Sequence, residues 1–155
     1  MIPKFRAWDS IKKKFVEHFF ITDNGLICNM ERPTSGYNSP IPIEKSELIL
    51  MQSTGLFDKN GKEIFEGDIL KFNDEWNDYC YEGYVDGSTE GINYVEIERE
   101  TTCFAFGKTK ISDSSLFYLI IDEHLSFEEL IKDEDFEFEI IGNIYENPEL
   151  LEVTE

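Results

Sequence analysis

Long apolar runs are missing from this sequence of 155 residues. None approaches the roughly 18 to 20 residues that a membrane-spanning helix requires, and the opening MIPKFRAWDSIKKKF lacks the uninterrupted apolar segment of a signal peptide. The sequence reads as cytosolic. Cysteine is scarce as well: Cys28, Cys80 and Cys103 are odd in number and widely spaced, with no C-x-x-C pair. That spacing argues against a disulfide framework or a zinc knuckle and leaves reduced, partly buried thiols. Histidine is limited to His18 and His124. Neither stands in a recognised nucleophile motif, and no G-x-S-x-G, H-E-x-x-H or phosphate-cradling glycine loop occurs. The inventory argues against an enzyme, so no catalytic, cofactor-binding or metal-ligating residue is assigned and no cofactor is expected.

Positive charge is the other deficiency, and its distribution is uneven. Residues 1 to 50 carry seven Lys/Arg and six Asp/Glu, residues 51 to 121 carry six and fourteen, and residues 122 to 155 carry one and thirteen. Net charge therefore runs from +1 through −8 to −12, giving −19 for the chain. Direct nucleic-acid binding is not expected of a chain this acidic, because phosphate neutralisation by Lys and Arg supplies most non-specific affinity. The charge confers solubility and repels anionic surfaces. A sharper alternative is a surface that imitates nucleic acid and occupies a host protein, or one that awaits a basic partner.

What the sequence does contain is apolar and aromatic material for a core: 41% hydrophobic residues and 14% aromatic, with 13 Phe and 7 Tyr. Such content at this length predicts a folded domain, or one domain with an appendage. KFRAWDS and KKFVEHFFI read as two strands, and ERPTSGYNSPIPI as a linker. SELILMQST, EIFEGDILKF, YEGYVDG, INYVEIERE and CFAFGKTKI read as further strands, with SLFYLIID as a central one. Ser126 and Glu129 fit a capping box opening a short helix. DEDFEFEII then returns to strand period, with Phe136, Phe138 and Ile140 on one face. Asn147-Pro148 predicts a terminal helical turn.

STGLFDKNGKEIFEGDIL, residues 53 to 70, holds five oxygen-bearing side chains within eleven positions: Asp58, Asn60, Glu63, Glu66 and Asp68. An EF-hand register with Gly61 in the sixth place puts Leu56 first and Gly67 twelfth, so two essential ligands are absent. The turn reading is stronger. Asn60-Gly61 suits a tight hairpin turn with positive φ at both central positions, and Asp58 can hold nearby N–H groups. Gly67-Asp68 marks a second bend into a strand.

That stretch, RAWD at Arg6 to Asp9 and IIGNIYENPELL at Ile140 to Leu151 together resemble the YopX family of phage and prophage proteins. The three blocks span nearly the whole chain; residues 73 to 135 carry no recognisable family motif, and Phe15 stands where a smaller apolar residue is expected. The resemblance implies a mainly β protein: an SH3-type β-barrel over residues 51 to 155 with a short helical element near the C-terminus, preceded by an N-terminal β segment and linker over residues 1 to 50. It transfers no catalytic residues. Trp8, Arg6 and Asp9 are read as a packing device, and Gly142, Tyr145 and the terminal leucines as a barrel closure.

The expected role is a binding or assembly module in the cytoplasm of a bacterial host cell, contacting a phage or host protein, a homo-oligomer, with no membrane association. An acidic decoy ranks second and a hydrolase with an acidic cleft third. Asp74, Glu75 and Asp78 around Trp76 form the candidate partner-contact loop, with a solvated loop as the alternative. Because the 53 to 70 stretch lacks a complete ligand set, calcium or zinc at moderate excess is expected to leave the melting temperature unchanged; a saturable rise would reveal a site by mass action.

Overall fold

The structure is a computed structural model describing residues 4–31 and 39–152. Most of the linker expected at ERPTSGYNSPIPI lies outside the described residues. The chain divides into two compact units, Met1–Ser53 and Thr54–Glu155.

The first unit contains β1 (Phe5–Asp9), β2 (Lys14–Val16), β3 (Phe19–Ile21), β4 (Leu26–Asn29), β5 (Ile41–Pro42) and the start of β6 (Leu48–Phe57). β1 pairs antiparallel with β2 and with β6, while β3, β4 and β5 form a separate small sheet. Ala7, Val16, Ile27 and Leu48 are buried together, so short strands of alternating pattern share one core. KKFVEHFFI is two strands rather than one. The break falls at Glu17-His18, where the Glu17 N–H donates to the Glu31 carboxylate instead of to a neighbouring strand. RAWD packs as its composition suggests: Trp8 is buried edge-on to Phe15 with centroids 5.0 Å apart, and the Arg6 guanidinium lies over the Phe15 ring at 4.9 Å. Asp9 accepts from the Ile11 and Lys12 N–H groups and shapes the turn.

The second unit takes the end of β6, then β7 (Glu63–Phe65), β8 (Asp68–Tyr79), β9 (Val85–Arg99), β10 (Phe104–Thr109), α1 (Ser115–Ile121), α2 (Phe127–Lys132) and β11 (Glu139–Asn143), closing on a 3-10 turn at Pro148–Leu151. Its main sheet, in the order β10-β9-β8-β11, is antiparallel throughout and curls into a half-barrel. Register breaks between Phe106 and Thr109 and between Ile140 and Gly142 supply bends of the kind that curl a sheet. Leu70, Phe72, Val95, Ile97 and Phe106 of this sheet are buried in one core with Ile64 of β7. Phe138 stacks on Phe72 at 5.1 Å and on Phe106 at 5.6 Å.

Three sequence expectations change here. SLFYLIID is helix α1, not a central strand: a continuous apolar run fits either state, and Ser114, whose Oγ accepts from the Leu116 N–H at 3.2 Å, starts a helix. YEGYVDG and INYVEIERE are not two separate strands; their residues from Val85 onward form the single long β9, which pairs with β8. DEDFEFEII opens with a 3-10 turn at Glu134–Phe136 and enters β11 only at Glu139, after Glu137 adopts a left-handed φ of 49°. Phe136, Phe138 and Ile140 still reach the same core. The capping box forms in both directions, Glu129 N–H to Ser126 Oγ and Ser126 N–H to Glu129 Oε2.

The polar stretch at 53 to 70 bends backbone. Asp58 N–H donates to the Lys62 carbonyl at 2.8 Å and Gly61 N–H to the Asp58 carbonyl at 3.0 Å. Between Asp58 and Lys62 it is Gly61 alone that takes positive φ, at 78°, so this is a three-residue hairpin loop with a glycine bulge rather than a turn with two positive φ values. The Asp58 carboxylate accepts from Asn60, Lys62 and, across 82 positions of sequence, Ile140. Asp68 is buried and accepts from the Phe65 N–H at 2.8 Å, and Glu66 pairs with Arg99 at 3.3 Å. These oxygens are committed to backbone and to an ion pair. Replacing Gly61 by Val forces a β-branched residue into positive φ and is expected to cost on the order of 1 kcal/mol or more, read as a fall in melting temperature; an unchanged temperature would contradict the loop geometry.

Candidate functional site

Residues 74 to 78 belong to strand β8, not to a loop. β8 pairs with β11 only as far as Lys71, and β9 pairs with β10 only from Val95. Between those limits β8 and β9 continue as a two-stranded ribbon, from Asn73 opposite Ile92 to Tyr79 opposite Val85. Its end repeats the loop found at Asp58: Cys80 N–H donates to the Tyr84 carbonyl at 2.8 Å, Gly83 N–H to the Cys80 carbonyl at 2.9 Å, and Gly83 has φ 89°. The five-residue spacing from D-K-N-G-K recurs as C-Y-E-G-Y, with glycine in the same place. That spacing was the available signal for the ribbon tip.

The base of the ribbon is held by a buried polar network. Asn93 is 0% exposed and Asp74 6%. Asn93 Nδ2 donates to Asp74 Oδ2 and to the Ile111 carbonyl, each at 2.9 Å, while its Oδ1 accepts from the Tyr94 and Ile111 N–H groups. Asp74 Oδ1 accepts from the Ser115 N–H at 3.1 Å, the Ser115 hydroxyl at 2.6 Å and the Glu75 N–H at 2.8 Å. Asp74 is thus satisfied internally and ties α1 to β8. Partnered in this way, burial of its charge is offset.

Strand alternation separates the other candidates. Asp74, Trp76 and Asp78 share one side of β8 and Glu75 the opposite side. Trp76 is half-buried over Gly91, where a Cβ would lie 2.7 Å from the indole ring. Asp78 accepts from the Thr89 hydroxyl at 2.6 Å. Glu75 is exposed. The four do not converge on one point. Asp113, which sequence reasoning missed, accepts from the Asn77 N–H at 3.2 Å and the Tyr79 hydroxyl at 3.3 Å. No local motif announces that contact, because 36 positions separate it from Asn77.

Toward its tip the ribbon exposes Tyr79, Tyr81, Tyr84 and Val85, with Tyr81 wholly in solvent. At its base lies an open groove of about 860 Å³ whose lining includes Asn73, Glu75, Glu90, Tyr118 and Asp135. Among the described residues no group of three or more His, Cys, Asp or Glu side chains could hold a metal ion. His18 and His124 are exposed. Elsewhere on β9, burial pushes the Glu96 carboxyl above its ordinary value, Glu98 adds to the rise and Lys108 opposes it. Burial likewise raises the Tyr145 hydroxyl, with Glu66 and Glu96 contributing.

Replacing Asp74 by Ala leaves buried Asn93 and the start of α1 short of an acceptor and is expected to destabilise the protein by about 2 to 3 kcal/mol. Asp78→Ala, which loses one exposed hydrogen bond, should cost less than about 1 kcal/mol in the same denaturant titration. Equal costs would remove the distinction between a structural and a peripheral carboxylate.

The family model described as YopX protein matches residues 4–152. Nothing among curated proteins matches. In fold, the chain is similar to the crystal structure of protein EF1440 from Enterococcus faecalis, with TM-score 0.57 and 30% identity over 98% of this chain and 99% of that one. It is also similar to the X-ray structure of yopX from Bacillus subtilis, with TM-score 0.51 and 20% identity over 97% of each chain. Matched across almost its entire length, the chain belongs to the YopX family.

Proposed function

We propose that the chain is a non-catalytic protein-binding or assembly module, of phage or prophage origin, acting in the cytoplasm of a bacterial host cell. The observation that carries this reading is the ribbon, which holds Tyr79, Tyr81, Tyr84 and Val85 in solvent among carboxylates. Tyrosine supplies large contact area at low conformational cost and is enriched at binding surfaces. We read the curled sheet of the second unit as an SH3-type barrel, a scaffold whose loops and ribbons are free to vary. The acidic decoy is the weaker alternative, since apolar rings among the charges break up a phosphate-like row. Hydrolysis ranks last: the candidate carboxylates are divided between two strand faces and both histidines are exposed.

Affinity capture from bacterial cells, with and without phage infection, tests the reading when the native chain is compared with a Tyr81→Ser/Tyr84→Ser variant. A protein retained by the native chain and lost from the variant supports it; identical capture by both overturns it.

Self-association is the second part of the proposal. Residues 1 to 50 are nearly neutral while residues 122 to 155 carry −12, so a symmetric contact through the N-terminal half avoids the repulsion that the acidic end would bring. Screening confines that repulsion to about 8 Å at physiological ionic strength. Light scattering at several protein and salt concentrations is expected to find a homo-oligomer that salt strengthens and that changes within residues 1 to 50 loosen. A strict monomer, or dissociation as salt rises, would contradict the arrangement.

A further inference from the structure

We propose that the open edge of β9 at Ser88 to Ile92 takes up an extended, Lys/Arg-bearing segment of a partner protein as an added strand. The proposal rests on the binding-module reading and names the chemistry of the partner. It starts from a difference between the two edges of the ribbon. The Tyr94 carbonyl points away from β8, where it accepts from the Lys110 N–H at 2.9 Å. By strand periodicity the N–H and C=O groups of Ile92, Glu90 and Ser88 point the same way. Opposite them in register on β8 stand Asn73, Glu75 and Asn77, facing the other edge.

On the β8 edge two outward N–H groups are already taken. Asp74 accepts from the Glu75 N–H at 2.8 Å and Asp113 from the Asn77 N–H at 3.2 Å. On the β9 edge, among the described residues, no group answers the outward N–H or C=O of Ser88 or Glu90. An uncovered edge is a template for another strand, and folded proteins ordinarily block it. Here one edge is blocked by carboxylates and the other is left available.

Charge identifies the occupant. From Phe72 to Glu98 the chain carries eight carboxylates and neither Lys nor Arg. Glu75 and Glu90, both exposed, stand directly opposite each other, and like charges so placed destabilise a sheet. A cation lying between them reverses the sign of that interaction, and Asp135 adds negative charge in the adjoining groove. A second copy of this ribbon would bring the same charge and be repelled, as would a phosphate backbone. On the opposite face, the half-buried Trp76 ring over Gly91 offers apolar contact to the alternate side chains of the added strand. Backbone pairing then supplies affinity, and the alternation of cation and apolar residue supplies selectivity.

The probe is a fluorescently labelled synthetic peptide of alternating lysine and valine, read by anisotropy against the full chain. Its comparisons are the same peptide N-methylated at alternate amides in either register, and a glutamate-valine peptide. Glu90→Pro removes an outward N–H that the β8 pairing does not use, and Glu90→Gln removes charge alone. The expected result is binding of the lysine peptide, with affinity about tenfold or more weaker for one N-methylated register and for Glu90→Pro. A smaller loss is expected for Glu90→Gln, no binding of the glutamate peptide, and slowed amide exchange at Ser88, Glu90 and Ile92. The N-methylated peptides keep the test valid if Glu90→Pro fails to fold. Equal binding of methylated and unmethylated peptides, slowed exchange only elsewhere, or no lysine-peptide binding up to about 1 mM overturns the proposal. Failure here leaves the binding-module reading to the Tyr81/Tyr84 capture comparison, which does not involve the β9 edge.

Discussion

The buried contact between Asp74 and Asn93 is the constraint on which the second unit depends most. It sits where β8 and β9 leave their outer neighbours and become a ribbon. At that point the sheet no longer covers its own polar groups, so side chains do. Asn93 uses donors and acceptors together, gripping Asp74 on one side and the Ile111 backbone on the other. Asp74 carries the connection on to Ser115 and so fixes where α1 begins. A half-satisfied version of this network would be worse than an apolar one, because each orphaned buried group costs its full desolvation.

From that anchored base, the ribbon can extend without a core of its own. Trp76 over Gly91 gives it one packing contact, and Thr89 to Asp78 gives it a cross-strand hydrogen bond. Asp113 holds the Asn77 N–H and the Tyr79 hydroxyl, and Tyr81 and Tyr84 face water. An isolated two-stranded hairpin is marginally stable at best in water, so the arm depends on the sheet and the network beneath it. Stability is concentrated at the base and exposed aromatic surface at the end.

Legibility in the sequence followed the range of the interactions. Asp58 and Gly61 were readable as a turn, and Ser126 with Glu129 as a cap, because their partners lie within four positions. The particular hairpin loop is not legible locally, since Asn60 and Gly61 suit more than one turn and only backbone closure to Lys62 selects among them. Asp74, Glu75 and Asp78 around Trp76 form a polar run in the sequence. A polar run in a two-stranded ribbon resembles a loop, because neither face is covered by a core. Their division between two faces was invisible until the strand was seen. The family was legible at both ends of the chain and at residues 53 to 70, but the ribbon falls in the interval between those blocks.

By itself, then, the sequence determined the mainly β character, the family, the charge gradient and the local turns and caps, all of which arise from composition or from contacts a few residues apart. Only the tertiary structure decided that SLFYLIID coils into a helix, that Asp74 is buried and partnered, and that Asp113 takes an N–H on one ribbon edge while, among the described residues, nothing takes those of Ser88 and Glu90 on the other. Each of these outcomes depends on which distant backbone groups find partners. A carboxylate looks the same in a sequence whether it faces water or a buried amide, and the fold alone chooses between them.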